Sequence, residues 1–175
     1  MARFISSVSA MLACVAVVAA ARGEETMDRP FTVSSPTLTE GQPIPPRFTA
    51  DGSDLSPELR IANPPSGTAS FALIMDDPDA PGGTWVHWVM WNLPPTTESI
   101  AEGSLPDGAI EGRNSWGRRR YNGPSPPSGT HRYFFKLYAL DNTLDLPTHT
   151  DKTGLEHAMQ GHVLAEAVLM GTYRR

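Results

Sequence analysis

Cysteine is nearly absent. The 175 residues hold one, Cys14, inside the leading apolar run Met11–Ala20. Once that run is removed the chain has no thiol, which excludes disulfide staples, thiolate metal sites and a cysteine nucleophile. Stability must then come from the core alone. Positive charge is also scarce: 14 Lys and Arg against 19 Asp and Glu give a net charge of −5. Nucleic acid is therefore not an expected partner, because binding phosphate backbones needs a cationic surface. The one basic run, Arg118–Arg119–Arg120, reads as a solvated loop. No apolar stretch reaches the ~20 residues of a membrane span. There is no internal repeat, no Gly-x-Ser-x-Gly elbow, and no His-x-His or His-x-x-x-His pair, so common signatures of a hydrolase nucleophile and of a metal site are missing.

What the N-terminus does hold is the layout of an export signal. Arg3 supplies a short positive region, the apolar run follows, and Ala19–Ala21 offers small residues before the charged Arg22–Glu25. The expectation is a signal peptide over 1–21, a short linker over 22–30 and one domain over 31–175, in a periplasmic or secreted protein. Lipid anchoring at Cys14 ranks second, because Val15–Ala20 continues the apolar core. Loss of Arg3 makes the mature chain slightly more acidic.

Proline and glycine are abundant, 17 and 15 residues. They gather in clusters such as Gly41–Phe48, Asn63–Thr68 and Gly123–Gly129, which punctuate the chain with turns and argue against a helical bundle. Between clusters lie β-type runs. Phe71–Met75 is continuously apolar, as in a strand buried on both faces. Trp85–Trp91 and His131–Leu140 are rich in aromatic and β-branched residues. One helix is signalled by Thr153 with Glu156 at capping-box spacing, followed by Leu155, Ala158, Met159, His162 and Val163. Ala165–Tyr173 could continue that helix or form a closing strand. The expected fold is mainly β: a sandwich with a little helix packed beside it.

Chemistry-bearing residues concentrate at loop–strand junctions. Asp77 and Asp79 close the Phe71 run. On the next strand, period-two alternation puts Trp85, His87, Val89 and Trp91 on one face; on the later one it does the same for His131, Tyr133, Phe135 and Leu137. Each polar residue alone has an ordinary role in a turn or cap. As a group they suit a site built on a rigid sheet. A metal reading and a hydrolase reading, with Ser115, Ser125 or Ser128 as nucleophile beside His87 or His131, both stay open at this level.

Two longer segments narrow the choice. Asp76–Pro94, "DDPDAPGGTWVHWVMWNLP", and Tyr121–Asp141, "YNGPSPPSGTHRYFFKLYALD", resemble the signature regions of the phosphatidylethanolamine-binding protein family, and most of all its bacterial Raf kinase inhibitor-like branch. Asp54–Leu59 and Ala158–Tyr173 extend the similarity over about Phe31–Arg175. The resemblance implies a large central β-sheet, a smaller sheet against it, and a few flanking helices, one near the C-terminus. It also implies a surface pocket for a small anionic or phosphorylated ligand, such as phosphate or a phosphoethanolamine head group. The pocket would use Asp77, Asp79, Pro81, His87, Ser125, Pro126, His131 and Tyr133, with no metal, cofactor or catalysis. An Asp would accept a hydrogen bond from the phosphate's remaining proton. With both histidines near their usual pKa of ~6.5, mild acid would favour binding. Arg132 points to the opposite face and is expected in a structural ion pair. A role as inhibitor or interaction partner of a kinase, protease or other protein is the alternative. A weak hydrolase using Asp77 with His87 or His131 comes third. A monomer and a homodimer are both compatible with the sequence.

Overall fold

The computed structural model describes residues 29–175; the expected signal peptide, Cys14 and most of the linker lie outside them. Five antiparallel strands form the main sheet in the order β6-β4-β3-β7-β8: β3 (Ser70–Asp77), β4 (Trp85–Leu93), β6 (Ile110–Glu111), β7 (Thr130–Leu140) and β8 (Val163–Arg174). A smaller sheet, β1 (Thr32–Ser34), β2 (Leu59–Ala62) and β5 (Ser99–Ile100), is ordered β1-β2-β5.

Strand β3 is central, and its composition explains why. All eight of its residues are buried, so an unbroken apolar run has no solvent face to satisfy. Phe71, Leu73 and Met75 enter a large cluster with Val33, Leu59, Ile61 and Ile100 from the small sheet and Tyr133, Phe135 and Leu137 from β7. Ala72 and Ile74 point the other way, into a second cluster with Val89, Trp91, Leu144 and Leu155. The expected sandwich is present, with α1 (Lys152–Ala158) covering the second face. A 3-10 turn at Pro46–Phe48 is the other helical piece among the described residues.

Two local expectations change. The N-cap of α1 is Asp151, whose Oδ1 accepts from Gly154 N–H at 3.0 Å. The same three-residue offset seen at Thr153–Glu156 thus occurs two residues earlier, and Glu156 faces Lys152 instead at 3.6 Å. The helix stops at Ala158, and Gly161 at φ +81° turns the chain. A left-handed residue without a Cβ is the usual way out of a helix. Val163 then begins β8, so Ala165–Tyr173 is strand.

The other change is on β4. Met75 pairs with Trp88 and Asp76 with Val86, so His87 is an extra residue, a β-bulge. Trp85 and His87 share a side, but beyond the bulge Trp88 and Met90 occupy it, while Val89 and Trp91 enter the opposite cluster. A bulge re-aims one side chain without ending the pairing. Here that side chain is His87.

Candidate functional site

At one end of the main sheet, β3, β4 and β7 meet the β3–β4 and β6–β7 loops around a cavity of about 340 Å³. That volume suits a small molecule. Of the residues expected there, Asp77, Pro81, His87, Ser125, Pro126 and Tyr133 line it.

Asp79 and His131 do not. Asp79 turns outward: its carboxylate takes Arg132 Nε at 2.9 Å and Nη2 at 2.7 Å, plus the Arg132 N–H at 2.9 Å. That fork holds the Asp79 carboxyl down at about 2. Arg132 makes the structural ion pair expected of it. His131 lies behind the wall, buried, with Nδ1 2.7 Å from Asp77 Oδ2. Asp77 Oδ1 accepts from Asp79 N–H at 2.8 Å, so both carboxylate oxygens of the cavity's acidic residue are occupied. Asp77 therefore has less to offer a ligand than the sequence suggested.

His87 is held from behind. Its Nδ1 is 2.6 Å from the Asn122 carbonyl; a carbonyl oxygen only accepts, so the neutral ring carries its proton on Nδ1 and a lone pair on Nε2. Burial pushes its pKa below the ordinary histidine value, opposed by the Asn122 carbonyl, the Asp77 charge, the Gly123 backbone and the Asp54 charge. Its ring meets Tyr133 edge-on at 5.2 Å and Trp116 at 5.0 Å between centroids. Among the described residues the Tyr133 hydroxyl is buried with no hydrogen bond of good geometry, although Asp77 and the Ser125 backbone lie near it, and burial, then Asp77, raises its pKa well above the usual tyrosine range. A buried hydroxyl left without a well-formed hydrogen bond in the wall of a cavity is uncommon and calls for a partner.

The outer walls come from loops fixed by one amide. Asn114 Oδ1 accepts from the N–H groups of Trp116 and Arg118, and its Nδ2 reaches Arg120 O at 3.0 Å and Asn122 Oδ1 at 2.9 Å. Asn122 Nδ2 in turn donates to Asp54, which also accepts Gly123 N–H at 2.6 Å. Asp54 holds this position at φ +55°, where a short polar side chain is tolerated. Gly123 lies against the turn at Phe48–Thr49, where a Cβ would sit 2.4 Å from Phe48 O. This packing sets the Ser125–Pro127 wall.

Trp85 and Trp116, each 39% exposed, meet edge-to-face at the rim. Neither was among the residues expected to line the pocket. Trp85 was detectable two positions before His87 on the same strand face; Trp116 carries no local signal, because the Asn114 network delivers it. Ser115 Oγ accepts from Val86 N–H, and no serine hydrogen-bonds to His87 or His131 among the described residues. Nor do three His, Cys, Asp or Glu side chains cluster there as a metal site would require.

Comparison with known proteins agrees with this architecture. The family model described as phosphatidylethanolamine-binding protein matches residues 34–174. A UPF0098 protein of Methanothermobacter thermautotrophicus is 51% identical over 137 residues, 75% of this chain and 91% of that protein. Another from Pyrococcus horikoshii is 44% identical over 162 residues, 87% of this chain and 80% of that protein. Among solved structures, a phosphatidylethanolamine-binding protein homolog from Chlamydia trachomatis superposes with a TM-score of 0.80 at 38% identity, covering 83% of this chain and 97% of that one. The E. coli protein YBCL, described as a member of the mammalian PEBP family, gives 0.79 at 29% identity over 83% and 98%.

Proposed function

Because the chain belongs to the phosphatidylethanolamine-binding protein family, we propose that its cavity holds a small anionic or phosphorylated ligand, of the phosphate or phosphoethanolamine head-group kind, and releases it unchanged. The observation that carries this reading is the buried Tyr133 hydroxyl without a well-formed hydrogen bond, next to His87 in the cavity wall. A ligand oxygen supplies the missing acceptor. The exposed pair Trp85 and Trp116 would flank the ethanolamine portion, where an ammonium gains from aromatic faces. Ligand turnover is not part of the proposal: Ser125 is the cavity's one hydroxyl besides Tyr133, and no histidine engages it. The proposal includes export, supported by the leading run Met11–Ala20 and its small-residue boundary.

Calorimetric titration with phosphoethanolamine at pH 6 tests it. A few hydrogen bonds in an open pocket predict a Kd between ~10 μM and ~1 mM. Tyr133→Phe should weaken binding by roughly 3- to 10-fold, the worth of about 1 kcal/mol for one hydrogen bond. His87→Ala should weaken it further. Absence of binding by the folded wild type would sink the ligand reading and put a protein partner, docking on the Trp85–Trp116 rim, in its place.

A further inference from the structure

The cavity is an odd anion site, because no lysine or arginine among the described residues lines it. Each oxygen of its acidic group, Asp77, already accepts one hydrogen bond, from Asp79 N–H and from His131. A ligand with two full negative charges would meet Asp77 with no lining cation to offset it, an unfavourable pairing in a partly dehydrated site. The polar atoms left are complementary instead of cationic. His87 Nε2 offers a lone pair, because Nδ1 gives its proton to Asn122 O. Tyr133 offers an O–H that no described residue engages in good geometry, near Asp77. An acceptor and a donor on adjoining rings, 5.2 Å apart between centroids, match a molecule that presents a hydroxyl next to a bare oxygen.

Resting on the ligand reading above, we propose that the cavity selects a phosphate monoester, or free phosphate, in its singly protonated form, with the ligand P–OH donating to His87 Nε2 and a neighbouring oxygen accepting from Tyr133. A ligand that arrives as the dianion then takes up one proton from solvent, which ends on the hydrogen bond between its oxygen and Nε2. No bond to phosphorus forms or breaks. A phosphodiester, the state of phosphate in an intact phospholipid, has no such proton and is disfavoured.

The groups around His87 bear on the proton. Asp77 on β3 and Asp54 in the loop after the 3-10 turn favour its retention; Tyr133 on β7 and Trp116 exclude water; His131 lies beyond Asp77, and the Arg175 charge reaches Tyr133. Burial keeps the free imidazole neutral at neutral pH, so its lone pair is available before ligand arrives.

The test is calorimetry of wild type with phosphoethanolamine at pH 7.5 and 5.5, each in two buffers of different ionisation enthalpy. Proton uptake should approach one per ligand at pH 7.5 and fall well below one half at pH 5.5. Affinity should tighten by roughly 20-fold over that interval, the ratio of monoanion fractions for a second pKa near 6. The sulfate ester 2-aminoethyl sulfate has nearly the same shape and no proton on its sulfate, and should bind at least tenfold more weakly at pH 5.5. Glycerophosphoethanolamine, the diester, should do likewise. Uptake near zero at pH 7.5, or equal affinity for phosphate and sulfate esters, overturns the inference while leaving the ligand site standing. If neither ester binds at either pH, the ligand reading falls and this inference with it.

Discussion

At the scale of single residues, His87 links structure to pH. Its folded-state pKa is depressed by burial, so between that value and ~6.5 the unfolded chain binds more protons. Stability from this group is fully present above pH ~6.5 and is lost as pH falls toward the folded value. Urea unfolding at pH 7.5 and 5.0 should therefore show a steeper loss for wild type than for His87→Gln; equal losses would contradict burial of a neutral imidazole. Asp79 behaves differently. Its pKa is held at about 2 by Arg132, so its contribution is present above ~3.8 and fades as pH drops through 2. Because the pair is partly exposed, with Arg132 open to solvent, Asp79→Asn should cost under about 1 kcal/mol at neutral pH. It should leave phosphoethanolamine affinity within twofold, as calorimetry can check. The sequence could not separate Asp77 from Asp79: both lie in one Asp-Pro-Asp unit, and only the fold decides that one faces the cavity and the other Arg132.

At the scale of elements, patterns with a regular period were legible and interruptions were not. The all-buried run of β3 and the alternation of His131, Tyr133, Phe135 and Leu137 on β7 are visible in the sequence and present in the fold. The β4 bulge is not encoded by any glycine or proline within Trp85–Leu93; it emerges from pairing with β3. For β8, the small residues Ala165, Ala167 and Gly171 fit helix or strand equally well, and eleven pairings to β7 settle it. Besides the Ser115–Val86 pair, the loop of Trp116 is organised around one side chain. Asn114→Ala removes donors and acceptors from a buried network, at an expected cost of about 2–3 kcal/mol. Trp116 should also become more solvent-exposed, seen as a red shift in tryptophan emission. An unchanged spectrum and stability would show that the loop is held by something else.

At the scale of the whole molecule, the two sheet faces have separate duties. The cavity opens at one end beside the cluster of Tyr133 and Trp88, whereas α1 covers the opposite cluster through Leu155 and Met159. Leu155→Ala should destabilise by about 2–5 kcal/mol, measured by thermal or urea unfolding, while the folded protein keeps its ligand affinity within about twofold. A large loss of affinity in the folded variant would mean that the faces are coupled. The overall sandwich was legible because strand periodicity and turn clusters are spread along the whole chain. The helix-side packing was less so, since Asp76 binds both Lys136 and Lys152, residues sixty and more positions away with no local pattern to announce them.

The Asn114 arrangement has a consequence for engineering. The floor of the cavity is strand-borne, while the outer wall around Trp116 is a loop tied to β4 through Ser115 and held by the amides of Asn114 and Asn122 with Asp54 behind them. Floor and wall are thus separable parts. A designer who keeps Asn114, Ser115, Trp116, Tyr121, Asn122 and Asp54 can exchange residues 117–120 as a cassette, altering what the mouth admits while the recognition chemistry at His87 and Tyr133 stays as it is.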